Sequence, residues 1–291
     1  MLRKIVNSTV DNLQLRQLRL HGQVGIGILI FFVLISAFGP FLAPYDPNER
    51  QVDADGKLKS LYPPSSQHLL GTTWQGRDVL SQLLYGARPT LVVAAVAAFI
   101  IAFIGVNIGI ISGYFGGKTD MILMRFVDIV FGLPFLPFMI VLVSLLGRSQ
   151  LNVIIAISII TWRSVSRVVR SQVLTLRELP YVKAAKVMGA GHLRILYLHI
   201  FPNVLPLAVL YLAFGIVWSI LAHADLSFLG FADPDVITWG KMIYSAWAAG
   251  VMTVAYWWYL PPALLISAVA SGAFFYARAF EEVANPRLKD R

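Results

Sequence analysis

The chain has 291 residues, of which 57% are hydrophobic and 13% are charged, and its mean hydropathy is +0.70. These proportions exclude a soluble globular domain, which carries about 25% charged residues, and they indicate an integral membrane protein. The formal net charge of +9 is not accompanied by any motif for reading nucleic acid, and the lack of cysteine excludes disulfides and thiolate metal sites.

Six apolar segments are long enough to cross a membrane, which requires about 20 residues. They lie near 24–43, 89–112, 125–146, 151–169, 204–223 and 251–276. The first follows a polar lead that is too long for an ordinary secretory signal, so we interpret it as an uncleaved anchor. The sequence therefore predicts an all-α fold, a polytopic membrane protein with six transmembrane helices.

Basic residues indicate the orientation, because short cytoplasmic loops retain Lys and Arg. Most of them, 17 of 24, fall in the segments 1–23, 113–125, 163–199 and 278–291. We therefore expect a multi-pass protein of the plasma or inner membrane with both termini in the cytoplasm and with membrane lipid headgroups as its anionic neighbours. The expected order is a cytoplasmic segment at 1–23, an anchor at 24–43, an extracytoplasmic loop at 44–88, a core of five transmembrane helices at 89–277 and a cytoplasmic tail at 278–291.

Three charged residues are candidates for a structural or gating role. Arg77 and Asp78 are neighbours in the chain and would not face each other on a helix, so we expect them to pair with different groups. Their loop either contacts a partner protein, forms an outer gate, or only turns and caps the next helix. For Asp128 the alternatives are a functional carboxylate and a structural ion pair with Arg125 or Arg163.

A basic segment from Pro180 to Asn203, PYVKAAKVMGAGHLRILYLHIFPN, separates the fourth and fifth spans. Pro180 fits the first turn of a helix, Gly189 and Gly191 end that helix, and Pro202 is expected to stop the next one. The pattern predicts two short helices at an angle. We interpret this cytoplasmic helix-turn-helix as a docking surface.

The order of residues in this segment resembles the cytoplasmic EAA loop of ABC-transporter permeases, and we call residues 178–203 the EAA-like loop. Further runs between residues 68 and 240 occur in the order found in the dipeptide and oligopeptide permease group. They include His68-Leu69-Leu70-Gly71-Thr72, Gly76-Arg77-Asp78-Val79-Leu80-Ser81, Gly113-Tyr114-Phe115-Gly116-Gly117, Met124-Arg125-Phe126-Val127-Asp128, Leu226-Ser227-Phe228-Leu229-Gly230 and Trp239-Gly240.

The resemblance implies that the EAA-like loop is a coupling loop, which seats in a groove of an ATPase subunit and transmits the motion of ATP-driven closure. The positions that match the family pattern are Ala184, Ala185, Gly189, His199 and Pro202. Lys183 departs from the pattern, which has glutamate there. Either the partner surface has changed to match the lysine, or this position is exposed at a rim and contributes little.

The same resemblance implies that this chain forms half of the pore of a peptide importer. A second homologous permease, two ATPase subunits and an extracytoplasmic substrate-binding protein would complete it, and ATP and Mg²⁺ would bind the ATPase partners. Members of this group also import oligosaccharides, nickel or glutathione, so these substrates remain alternatives. An independent secondary transporter is a less favoured reading, because it needs ionisable or unwound sites near mid-span.

We expect no enzymatic chemistry, cofactor or metal on this chain. Gly117-Lys118-Thr119 looks like the end of a P-loop, but Ser112 stands where its first glycine is required. No HExxH, CxxC or GxSxG motif occurs, so no catalytic residue is assigned. The polar residues considered for a pore lining are Asn107, Ser112, Tyr211 and Ser219, and no substrate site is assigned.

Overall fold

The computed structural model describes residues 2–284, with side chains for residues 20–281. This part of the chain forms nine helices: α1 (Leu2–Leu42), α2 (Val79–Phe115), α3 (Gly117–Gly132), α4 (Phe135–Leu146), α5 (Gln150–Leu176), α6 (Pro180–Val187), α7 (His192–Phe228), α8 (Trp239–Ala248) and α9 (Tyr256–Ala284). Residues 285–291 of the expected cytoplasmic tail lie outside the described residues, as do the side chains of the four basic residues expected in the cytoplasmic segment 1–23.

Five helices in the described part of the chain are long and apolar enough to cross a membrane. They are Leu20–Leu42 within α1, then α2, α5, α7 and Tyr256–Glu281 within α9. Helices α3 and α4 meet the same criterion only together, which gives up to six spans if this bent pair counts as one. The predicted all-α, multi-pass membrane fold is therefore confirmed.

The third predicted span is not the single helix that we expected at 125–146. The chain breaks at Leu133 and Pro134, which both have extended backbone with ψ of 128° and 127°, and α3 and α4 are bent by 90°. Proline has no N–H and disfavours a helical conformation at the residue before it. The bend is thus encoded locally, although the apolar length of the segment conceals it.

The predicted stop at Pro202 is also wrong, because α7 runs without interruption from His192 to Phe228. A π-helical stretch, Ile195–Ile200, immediately precedes Pro202, and such a turn shifts the backbone hydrogen bonds by one residue. The side-chain amide of Asn203 donates to the carbonyl oxygen of His199 at 2.7 Å. Pro202 therefore lies at the start of a regular α-helical stretch, where its missing N–H is tolerated.

Close packing of α2 against α5 forms the centre of the larger hydrophobic core. Gly105, Gly109 and Gly113 recur every fourth residue on α2 and are buried against α5. A Cβ on Gly105 would lie 2.5 Å from the Cβ of Val165, and one on Gly109 would lie 2.7 Å from the carbonyl oxygen of Ser166. Only glycine lets these two backbones approach so closely, as in other membrane helix pairs with small residues at this spacing.

Helix α8 was not predicted, and it is fastened to α2 by the buried Trp239. The indole Nε1 of Trp239 donates to the carbonyl oxygen of Leu83 at 2.9 Å, and its backbone N–H donates to Thr90 Oγ1 at 3.1 Å. Phe32 of α1 packs edge-on against the indole, with the two ring centroids 5.8 Å apart. A second hydrophobic cluster around this tryptophan joins α1, α2, α8 and α9.

Candidate functional site

The EAA-like loop projects from one end of the helix bundle as α6, a glycine turn and the start of α7. Pro180 occupies the first turn of α6, as its fixed φ allows. Gly189 follows the helix with φ of +84°, and its N–H donates to the carbonyl oxygen of Lys186 at 3.1 Å. Gly191 then precedes α7 with extended backbone. The turn therefore requires glycine at position 189 for its backbone conformation.

One face of this loop is buried and the other is apolar but exposed. Val182, Ile195 and Leu196 belong to the larger hydrophobic core, and Ala185 is also buried. On the other face the side chains of Val187, Met188 and Leu193 are 89%, 80% and 72% exposed. Large apolar side chains grouped on an exposed surface indicate an interaction site. These three residues were missed in the sequence, where nothing distinguishes them from core residues.

The sequence-predicted residues of the loop fall into two groups along it. Lys183 and Ala184 are exposed on α6, next to the buried Ala185. His199 lies in the π-helical stretch of α7, and Pro202 is exposed just after it. The six residues thus follow the whole loop rather than converge on one point. Such an arrangement suits an extended contact surface and not a catalytic centre.

Lys183 has a carboxylate partner that the sequence analysis did not single out. Its Nζ lies 3.0 Å from Oε2 of Glu178, which precedes α6, and both side chains are about 60% exposed. The lysine ammonium holds the pKa of the Glu178 carboxyl below its usual value, with Arg177 contributing a smaller effect. The loop therefore carries a glutamate five residues before the position at which the family pattern places one, and Lys183 contacts it.

Polar contacts among α2, α3, α5 and α7 connect the EAA-like loop to the helix bundle. Asp120 of α3 accepts hydrogen bonds from Nε and Nη2 of Arg170 on α5 at 2.5 and 2.6 Å. Arg177 donates to the carbonyl oxygen of Gly113 at 2.9 Å, and Tyr114 Oη lies 2.9 Å from Nδ1 of His192. Bidentate arginine–carboxylate pairs are geometrically specific. These contacts fix the ends of α2, α3, α5 and α7 relative to one another.

Asp128 forms an ion pair, but with neither of the two expected residues. Its Oδ1 lies 2.6 Å from Nη2 of Arg167 on α5. Arg163 instead donates to the carbonyl oxygen of Val130, and no ion pair with Arg125 occurs among the described residues. The predicted partners Arg125 and Arg163 are therefore wrong. The rotation of α5 about its axis, which depends on the α2 contact, decides which arginine reaches Asp128.

At the opposite end of the bundle, Asp78 is the N-cap of α2. Its Oδ2 accepts from the backbone N–H and the hydroxyl of Ser81, both at 2.8 Å, and its Oδ1 lies 3.0 Å from Nδ1 of the buried His68. This is the capping geometry that stabilises a helix start. Arg77 does point elsewhere, as expected, and its Nε is buried with no hydrogen-bond partner among the described residues.

Arg77 lines a cavity of about 520 Å³ together with Lys241 of α8. The Lys241 ammonium is held by the carbonyl oxygens of Pro234 and Val236, the second at 3.1 Å. Burial lowers the pKa of Lys241, and the nearby Asp233 and Asp235 partly offset that effect. The lysine thus fixes the loop between α7 and α8. No group of three or more potential metal ligands occurs in the described part of the chain.

Comparison with known proteins gave two family models and many relatives. A model described as "Binding-protein-dependent transport system inner membrane component" matches residues 105–281, and one for the N-terminal transmembrane domain of oligopeptide transport permease C matches residues 22–64. The chain is 33% identical to the dipeptide transport system permease protein DppC of Bacillus subtilis, with 91% of this chain and 81% of that protein covered.

Two further relatives differ in their named substrates. The oligopeptide transport system permease protein OppC of Haemophilus influenzae is 35% identical, with 91% of this chain and 83% of that protein covered. The glutathione transport system permease protein GsiD of Pectobacterium atrosepticum is 32% identical, with 94% of this chain and 90% of that protein covered. A solved structure of the MetNI methionine ABC transporter in inward-facing conformations matches with a TM-score of 0.56 and 17% identity, covering 72% of this chain and 97% of that one, which supports the fold alone.

Proposed function

Because the chain belongs to the family of binding-protein-dependent transport system inner membrane components and is a permease subunit of an ABC importer, we propose that it forms half of a translocation pore for di- or oligopeptides. Two of the relatives described above are named as dipeptide and oligopeptide permeases and align over 91% of this chain. A second homologous permease supplies the other half of the pore.

The observation that carries the coupling role is the exposed apolar face of the EAA-like loop. Val187, Met188 and Leu193 surround the Gly189 turn, and an ATPase subunit that covers them removes apolar surface from water. Lys183, Ala184, Ala185, His199 and Pro202 extend this contact surface along the loop. Arg170 of α5 pairs with Asp120 of α3, and Arg177, between α5 and α6, donates to the Gly113 carbonyl oxygen of α2. Because these contacts connect the base of the loop to α3 and α2, a partner that moves the loop also moves these helices.

The end with the EAA-like loop and both termini lies in the cytoplasm, where two ATPase subunits bind and hydrolyse ATP with Mg²⁺. The loop at 44–88 faces an extracytoplasmic substrate-binding protein, with Asp78 as a structural cap and Arg77 in the wall of the cavity that it shares with Lys241. Glutathione, itself a tripeptide, is a second candidate substrate, favoured by the GsiD relative.

The test is to purify the tagged chain gently from its native membrane and identify the proteins that accompany it by mass spectrometry. Recovery of two ATPase subunits, a sister permease and a binding protein would support the proposal, and uptake of a labelled dipeptide by the reconstituted complex would support the substrate. If the chain is recovered alone under several mild detergents, the proposal fails and an independent transporter becomes the better interpretation.

Lys183→Glu is expected to weaken ATPase assembly by about threefold, the size of effect typical of an exposed ion pair. The substitution breaks the contact with Glu178 and places two carboxylates together. If the ATPase surface is complementary to a lysine, the new glutamate also presents a charge of the wrong sign to it. The measurement is the fraction of ATPase subunits retained on the immobilised complex as salt is raised.

Lys186→Glu is the matched control, because it makes the same charge change three residues further along α6, where no ion pair is formed in the described part of the chain. We expect it to retain more of the ATPase than Lys183→Glu does. If Lys183→Glu retains as much ATPase as the unsubstituted chain does, the hypothesis that the ATPase surface is matched to a lysine is wrong.

A further inference from the structure

A second cavity, of about 550 Å³, opens between the membrane helices α2, α4, α5 and α7. Its wall is mostly apolar and aromatic, with Tyr211, Phe214 and the 58% exposed Trp218 on α7. The polar residues that line it are Thr161, Arg163 and Ser164 on α5 and Tyr211 on α7. An apolar cavity of this size with a few polar groups is typical of a small-molecule site.

Arg163 lies midway along α5, about 20 Å from either end of that helix at 1.5 Å per residue, and it is the first residue of the basic segment 163–199 that the sequence analysis assigned to the cytoplasmic side. Its guanidinium stacks on Phe131 at 4.7 Å, and Nη1 donates to the carbonyl oxygen of Val130 at 2.5 Å. An ionisable residue that lines a cavity between membrane helices is costly and is by default a candidate functional residue.

What distinguishes Arg163 is the absence of an acidic partner among the described residues. Arg167, one turn further along α5, pairs with Asp128, and Arg170 pairs with Asp120. Arg163 forms no ion pair in this part of the chain, and only one of its five N–H donors has a hydrogen-bond acceptor there. One residue lining the cavity is therefore an arginine that has, among the described residues, N–H donors without acceptors and no carboxylate partner.

A purely structural role for Arg163 is the simpler alternative. The break after Gly132 leaves the last carbonyl groups of α3 without helical partners, and a cation at the C-terminal end of a helix is stabilising. That role uses a single donor. It explains the contact of Arg163 with Val130. It explains neither why Arg163 has no carboxylate partner among the described residues nor why aromatic side chains of α7 line the same cavity.

We propose that this cavity binds the carboxylate of the transported solute, with Arg163 as the charge partner and Tyr211, Phe214 and Trp218 as the apolar wall. The inference rests on the proposed function, because it names the chemistry that the pore recognises. A guanidinium with several free donors matches a carboxylate bidentately. The same chemistry could come from an acidic side chain of the sister permease, and the experiment separates these two sources.

The experiment measures equilibrium binding of labelled alanyl-phenylalanine to the purified complex of both permeases and both ATPases, without the binding protein. Unlabelled alanyl-phenylalanine and its C-terminal amide serve as competitors. In the unsubstituted complex the amide should compete about tenfold less well, the loss expected for one charge-assisted hydrogen bond. In Arg163→Gln the acid should bind about tenfold more weakly, and acid and amide should compete equally.

Arg167→Gln is the matched control, the same substitution one turn away at an arginine that has a carboxylate partner. It should preserve the preference for the acid over the amide. Should Arg163→Gln fail to assemble, Trp218→Ala changes an exposed wall residue and should weaken binding of the dipeptide about fivefold, the effect expected for the loss of one aromatic pair.

Each outcome decides between the sources. The proposal is overturned by a lack of binding to the unsubstituted complex, by an unchanged preference in Arg163→Gln or, where that variant does not assemble, by unchanged affinity in Trp218→Ala. Loss of the sister permease from Arg163→Gln without any change in the acid–amide preference of the complex that remains assigns the arginine to the permease interface and also overturns it. Uptake by the full reconstituted system with the binding protein tests the proposed function separately, so the two can fail independently.

Discussion

Replacing Gly189 by proline is expected to abolish peptide uptake while ATP hydrolysis by the associated ATPases continues. Gly189 has φ of +84°, whereas proline is fixed near −65°, so the turn between α6 and α7 cannot form. The substitution also removes the N–H that donates to Lys186. Apart from the adjacent residues of the chain, no heavy atom of the described residues lies within 4 Å of a Cβ placed here, so the effect acts through the backbone and not through a clash.

The measurement is ATP-driven uptake and ATP hydrolysis by the same reconstituted preparation. Gly191→Pro is the matched control, because φ of Gly191 is −65° and a Cβ there also meets nothing within 4 Å. It should transport nearly normally. Gly189→Ala should fall between the two, since a left-handed conformation costs alanine about 1–2 kcal/mol. Normal uptake by Gly189→Pro would contradict the coupling role of this loop.

Replacing Gly109 by leucine is expected to prevent the membrane core from folding. Even a Cβ at this position would lie 2.7 Å from both the Ser166 carbonyl oxygen and the Val169 Cβ. The first of these atoms is backbone, so α2 and α5 must separate to make room. Overpacking a core typically costs about 1–3 kcal/mol, and more where neighbours cannot yield, which is a large share of a marginal stability of about 5–15 kcal/mol.

Size-exclusion profiles after heating in detergent would measure this effect. Gly109→Ala should lower the temperature of aggregation clearly, and Gly109→Leu should yield little monodisperse protein. Gly27→Leu is the control, because Gly27 is also a helical glycine in a spanning segment but is exposed, and a Cβ placed there would meet no described residue within 4 Å. A Gly109→Leu protein as stable as that control would refute the close approach of α2 and α5.

Much of the fold could be predicted because membrane insertion is a local property of the sequence. Apolar length fixes which segments span, and five of the predicted spans correspond to continuous helices. The turn at Gly189 was also predictable, since glycine and proline act on their own backbone. Two predictions that involve proline were wrong: the continuous third span, which breaks at Leu133 and Pro134, and the helix end at Pro202. A proline breaks a helix where the backbone beside it is extended, as at Leu133, but is accommodated where a π-helical stretch precedes it, as at Pro202.

The sequence by itself determined that this is a multi-pass membrane protein, and it located the loop that resembles the coupling element of its family. Only the tertiary structure decided the pairing of charges, since Arg163, Arg167 and Arg170 share one face of α5, yet within residues 20–281 only the last two reach a carboxylate. The physical reason is that the glycines of α2 set the distance and rotation of α5, and no local pattern specifies which helix will pack against them.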